Sequence, residues 1–222
     1  RPVIMVDVPK PVVCEHNYED VVTQPTVTED GSIVSTCTKC GKVQSYEVLE
    51  ALGCSFEATL YSDAEYQTSV ENLGEFGDIG SLNTAIAQKE GYLKIRILKD
   101  TSLTAFPYAE GISGIKITPE YGEEYTLTLS EETYEVKTDV VLETGLEIRQ
   151  EGSHIKGNDS EIILMSTTVN GGTLSTEDLG LVLAGTVTVN AKIDGADALY
   201  INQNISTTNN NGSVEWENQY PY

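Results

Sequence analysis

The sequence predicts an all-β protein: a β-solenoid with one capping helix, preceded by a small β-meander that carries cysteine and histidine. Three observations predict it. Short alternating apolar runs recur at ragged, roughly regular steps through the second half of the chain. All four cysteines, Cys14, Cys37, Cys40 and Cys54, fall in the first quarter of the 222 residues. One segment alone, Ser81 to Glu90, has the period and the flanking signals of a helix.

Taken in order, Arg1 to Val13 holds Pro2, Pro9 and Pro11 between apolar residues, which favours an extended lead-in. Val21-Val22-Thr23 and Val27-Thr28 lead to Glu29-Asp30-Gly31, where Gly31 is expected to take the positive φ of a tight turn. Ser32 to Thr36 returns as the partner strand, and Val43 to Leu49 starts a third. A meander of about 40 residues rarely holds by its core alone and needs a staple.

Cys14-Glu15-His16 forms one pair of candidate ligands, and Cys37-Thr38-Lys39-Cys40, followed by Gly41, forms a second pair further along the chain. Two paired-ligand corners on neighbouring turns present four N/S donors tetrahedrally, which suits a structural zinc site. The expected ligands are therefore Cys14, His16, Cys37 and Cys40, with Cys54 as an alternative. Two other readings stay open: a disulfide, Cys37–Cys40 or Cys14–Cys54, in an oxidising compartment, or free thiols. A redox motif of the thioredoxin type would need a helix after Cys40, and none is expected there.

The second unit begins near Cys54. Ser81 is the expected N-cap of the helix, Leu82, Ala85 and Ile86 share one face, and Gly91 is the expected stop. Then Leu93, Ile95 and Ile97 alternate with Lys94 and Arg96. Gly114–Thr118, Tyr125–Leu129 and Gly145–Arg149 repeat the pattern, and shorter apolar runs follow at 161–165, 181–183, 186–189 and 199–201. Ile95 and Ile117, Leu129 and Ile148, and Leu183 and Ile201 stand at similar separations, as equivalent places in successive repeats do. Such ragged repeats mark a solenoid, with corners at Asn170-Gly171-Gly172, Gly195-Ala196-Asp197 and Asn209 to Gly212. A β-sandwich is the competing architecture. The expected domains are 1–53 and 54–222.

Two stretches resemble known families. Cys14-Glu-His-Asn-Tyr, Thr28-Glu-Asp-Gly31, Cys37-Thr-Lys-Cys-Gly41 and Ala51-Leu-Gly-Cys54-Ser-Phe56 are similar to a short zinc-ribbon-like repeat of Firmicute surface proteins. In that repeat Cys often stands at the place of Val27 and His at the place of Cys54. Ser81-Leu-Asn-Thr-Ala-Ile-Ala with Leu93-Lys-Ile-Arg-Ile-Leu-Lys-Asp100 resembles the capping helix and first strand of pectate-lyase-like, right-handed parallel β-helix domains. The resemblances imply a secreted, modular protein of the bacterial cell surface, with a non-catalytic scaffold or adhesion surface toward glycans or proteins. The β-helix family also includes polysaccharide lyases and glycoside hydrolases, which is the alternative reading.

Charge narrows the function. Thirteen Lys+Arg against 35 Asp+Glu leave −22, which repels phosphate backbones, so no nucleic-acid partner is expected. No apolar run approaches the roughly 18 residues of a membrane span. The chain opens on Arg1-Pro2 without a signal h-region and is expected to be a mature or trimmed form. No catalytic residue is assigned: His154 with Lys156 reads as a solvated turn. Calcium would have to use Glu123-Glu124, Glu131-Glu132-Glu135 or Asp194/Asp197, which read as solvated acidic faces. Tyr92, Tyr125 and Tyr134 offer rings for stacking on sugars, with core covering the commoner use. The tail Trp216 to Tyr222 is expected to cover the last turn.

Overall fold

A computed structural model describes residues 14–26, 29–196, 198–202, 205–206, 213–216 and 219–221, with strand side chains as far as Asp194. The lead-in over 1–13, the Val27-Thr28 strand and the corner at Asn209 to Gly212 lie outside these residues. The chain divides into two compact units, Arg1–Gly53 and Cys54–Tyr222.

In the first unit, β1 (Tyr18–Thr23), β2 (Gly31–Cys37) and β3 (Val43–Leu49) form an antiparallel sheet in the order β1-β2-β3. Val21 pairs with Val34, and Val34 with Tyr46, so all three share one face. That face is wet: Val21 is 60% and Tyr46 65% exposed. Gly31 does not take a positive φ. It is glycine because a Cβ there would lie 2.3 Å from the Thr23 carbonyl oxygen.

In the second unit, β4 (Phe56–Tyr61) pairs antiparallel with β5 (Ser69–Phe76). The helix α1 follows at Ile79–Ile86, earlier than its Ser81 signal suggested. Asp78 is the true N-cap: its Oδ1 accepts the Ser81 N–H at 2.7 Å, while Ser81 Oγ donates back to the Asp78 carbonyl. A carboxylate at the cap also meets the positive end of the helix dipole, which a hydroxyl cannot match. Ile79, Leu82 and Ile86 are its buried face. Next, β6 (Gly91–Ile97) pairs antiparallel with β4 on its other side.

From β6 onward every pairing among the described residues is parallel. The strands are β7 (Thr101–Leu103), β8 (Ile112–Pro119), β9 (Thr126–Leu129), β10 (Thr133–Glu135), β11 (Val140–Leu142), β12 (Gly145–Ile148), β13 (Ser153–Met165), β14 (Thr168–Gly171), β15 (Thr173–Ala184), β16 (Val187–Val189), β17 (Lys192–Ala196), β18 (Ala198–Asn202), β19 (Ile205–Ser206), β20 (Ser213–Trp216) and β21 (Gln219–Pro221). One sheet runs β6-β8-β11-β13-β15-β17-β20, with β10, β18 and β21 joined to it. The other runs β7-β9-β12-β14-β16-β19. The chain returns to each sheet once per turn, giving a β-solenoid of about five turns. Parallel neighbours exclude the β-sandwich, whose sheets are antiparallel.

The core is a set of stacked rows. Ile95, Ile117, Leu142, Leu164 and Leu183 are in-register neighbours, each at most 1% exposed. Leu127, Leu146, Val169 and Val189 make the opposing row. All three pairs singled out by sequence spacing are in-register partners: Ile95 with Ile117, Leu129 with Ile148, Leu183 with Ile201. Asp159 and Asp178 bend β13 and β15 at positive φ (53° and 51°), so each long strand serves two faces. Of the corner expected at Gly195-Ala196-Asp197, Gly195 and Ala196 end β17 and Asp197 lies outside the described residues; β17 and β18 pair with β15 on either side of its bend at Asp178. The backbone of β20 and β21 extends the sheet past β17 and β18. No helix among the described residues is long and apolar enough to cross a membrane.

Candidate metal centre

The pairing of β1 with β2 creates the site. Tyr18 lies opposite Cys37, so the residues entering β1 run beside the turn leaving β2. Asn17 fastens the two: its carbonyl oxygen accepts the Thr38 N–H at 2.9 Å and the Thr38 hydroxyl at 3.2 Å. The turn closes through Gly41 N–H on the Cys37 carbonyl (2.8 Å) and Cys37 N–H on the Lys42 carbonyl (2.9 Å). Gly41 has φ +74°, the left-handed region that glycine enters at least cost.

These constraints converge four side chains. The donor atoms of Cys14, His16, Cys37 and Cys40 all lie within 4.8 Å of one another. His16 Nδ1 is 3.3 Å from Cys40 Sγ, and its ring rests 5.5 Å from that of Tyr18. Cys37 is buried, Cys14 half-buried, and His16 and Cys40 exposed. All four cysteines of the chain are free.

The thiols are electrostatically unequal. Burial opposes the Cys37 thiolate, but the His16 side chain and the N–H groups of Lys39, Asn17 and Cys40 outweigh it and bring its pKa to about 5. Cys14 goes the other way, to about 11, through its hydrogen bond to Cys40, its burial and the nearby Cys37 sulfur. Three thiolates this close repel one another, so the later protons leave only when a cation replaces them. The group can hold a metal ion. Among the described residues no other set of three or more His, Cys, Asp or Glu brings its donor atoms together in this way.

Cys54 belongs to the second unit and is not one of the four. Burial and the neighbouring Glu75 carboxylate raise its pKa, and its sulfur is not in the group of converging donors.

The remaining sequence candidates fall as follows. His154 is in β13, not in a turn. Its Nδ1 lies 3.1 Å from Ser175 Oγ and its Nε2 3.3 Å from Glu177 Oε2. Lys156 reaches Glu177 at 3.3 Å, and these two partners pull the Glu177 carboxyl below its usual range. Glu123 and Glu124 line a shallow cavity of about 330 Å³ with Glu143. Asp197 lies outside the described residues. Tyr134 is core: it is 4% exposed and its hydroxyl donates to the Leu103 carbonyl at 2.7 Å. Tyr125 packs against the core. Tyr92 joins Tyr66 on the outer face of the solenoid, a contact that spacing did not announce because Tyr66 arrives from the β4–β5 loop.

No protein-family model, no curated protein and no solved structure matches the chain.

Proposed function

We propose that this chain is a non-catalytic, extracellular module of a bacterial surface protein, in which a zinc-stapled unit precedes a β-solenoid that serves as scaffold or adhesion surface. The observation that carries the metal part is the convergence of three sulfurs and one imidazole nitrogen within 4.8 Å. A tetrahedral zinc with Zn–S bonds of about 2.3 Å spaces its sulfur ligands about 3.8 Å apart. Small rotamer adjustments bring the group to that size. Four protein donors leave no open position, so the role is structural and not catalytic. The sulfur-rich set disfavours calcium and magnesium, which take oxygen. Elemental analysis of protein purified without added metal is expected to find about one zinc per chain. Metal-free protein with no titratable thiols would replace the zinc by disulfides.

The surface part rests on the outer faces of the coil. Polar side chains stand there in register in places, as Thr128, Glu147 and Asn170 do, and multi-point contact along such a row gains by avidity. A glycan-array screen in the presence of calcium tests it. Reproducible binding to one glycan class supports adhesion, and a clean blank leaves a spacer or protein-binding role. The rival enzymatic reading, a lyase or hydrolase, draws on the row His154, Lys156, Ser175 and Glu177. Incubation with any glycan that binds, followed by product analysis, decides between them.

A further inference from the structure

The outward rows of β4, β6 and β8 differ from the rest of this acidic unit. They align Glu57 with Arg96 and Thr118, Thr59 with Lys94 and Lys116, and Tyr61 with Tyr92 and Gly114. Three of the nine basic residues in 56–222 thus sit on two adjacent strands. Arg96 pairs with Glu57, and Lys116 with Glu143 at 2.8 Å. Lys94 has no carboxylate partner among the described residues, and its in-register neighbour on β8 is another lysine. Like charges on adjacent strands destabilise one another unless an anion intervenes.

A pocket of about 160 Å³ opens at this point, lined by Glu57, Thr59, Tyr61, Lys94 and Arg96. Arg96 Nε, shielded from solvent, has no acceptor. The aromatic wall is held in place. Asp63 accepts the N–H groups of Gln67 and Thr68 at 2.9 and 2.8 Å, which shapes the loop carrying Tyr66. Tyr66 stands edge-on to both Tyr61 and Tyr92, at 5.7 and 6.1 Å between ring centres. Gly114 leaves the room: a Cβ there would press within 3.1 Å of the Tyr92 ring.

We infer that this pocket binds a saccharide bearing a single carboxylate, with Lys94 as the charge partner, Arg96 as a second donor and Tyr61 as the wall for the sugar ring. An ammonium without a counter-ion among the described residues, a guanidinium that is partly exposed and an aromatic wall are complementary to that chemistry. The charge of the unit limits the ligand to one carboxylate. Residues 56–222 hold 9 basic and 27 acidic side chains, so a polyanion is repelled along its length. A lone carboxylate meets Lys94 inside the screening distance of about 8 Å at physiological salt.

The inference rests on the reading of the solenoid as a glycan-facing surface. The test is an NMR titration of the full chain with N-acetylneuraminic acid and, separately, its methyl ester, which removes the charge and keeps the body. The acid is expected to bind in the millimolar range and the ester about tenfold more weakly. Lys94→Gln should weaken the acid about tenfold. Lys94→Arg should keep most of the affinity, and Arg149→Gln, just past β12 in the other sheet, should change nothing. Unaltered melting curves establish that the variants fold. Equal binding of acid and ester, indifference to Lys94→Gln, or no acid binding up to about 10 mM would overturn the pocket. If neutral glycans bind on the array while the acid does not, the pocket fails and the surface reading stands. If no sugar binds in either experiment, both fail.

Discussion

In the solenoid, Ile95, Ile117, Leu142, Leu164 and Leu183 are shut away from water; in the meander before it, Val21, Val43, Tyr46 and Val48 stand in it. Both units are strands joined by short turns. The coil repeats, so each turn supplies the cover for the last, and its apolar rows grow with length. Among the described residues of its own unit, the meander is one layer with no second layer against it. Among its described residues the buried positions are Gly31, Ser35 and Cys37, and two of these adjoin or belong to the cysteine corner. A layer of this size needs a substitute for a core, and converging ligands are one.

The sharpest way to break the comparison is to remove the staple. Chelation, or Cys37→Ser, should abolish the order of residues 14–53 while the solenoid keeps its β signal. Structural zinc contributes on the order of 10 kcal/mol in small domains, so the loss should be complete. Limited proteolysis checks it, and joint unfolding of both units would contradict it. Acid should act in the same direction. The Cys37 pKa is depressed to about 5 from a usual thiol value, so its thiolate is present above that pH and lost as pH falls through it. Metal retention, followed with a zinc indicator, should therefore collapse near and below a pH of about 5.

Smaller effects belong to the coil. Leu142→Ala empties the middle of a buried row and should cost about 2–5 kcal/mol by denaturant unfolding, with the zinc content unchanged. Gly171→Ala should cost about 1–3 kcal/mol, because φ is +98° and a Cβ would lie 2.0 Å from the Ile148 carbonyl oxygen. Asp78→Ala should cost about 1 kcal/mol through the lost helix cap, visible as a slightly lower melting temperature.

How far the sequence could be read follows from the same contrast. Strict alternation at 93–97 and 114–118 announced β6 and β8 because every second side chain is buried there. The short strands β7 and β10 have too few positions for a period, so Tyr134 stayed open between core, the commoner use, and a sugar platform. Only the pairing of β10 with β13, a full turn later in the chain, decides for the core. The cysteine group was legible because ligand spacing is local within each corner. The pocket at Lys94 was not. Its ingredients come from β4, β6 and a loop, and an unpaired lysine has no signature in one dimension.

The antiparallel fit of β4 against β6 closes one end of the coil to further turns, whereas β15 and β17 show how the other end accepts them by parallel addition. Growth of the gene is thereby polarised. Duplication or loss of one whole turn beyond β11, such as the stretch from Leu164 to its in-register partner Leu183, would leave the hairpin and every earlier row untouched. A single inserted residue within a strand would turn its inward side chains outward. Natural variants of this chain should therefore differ in length by steps of a turn, as a telescoping rod changes reach while its base stays the same.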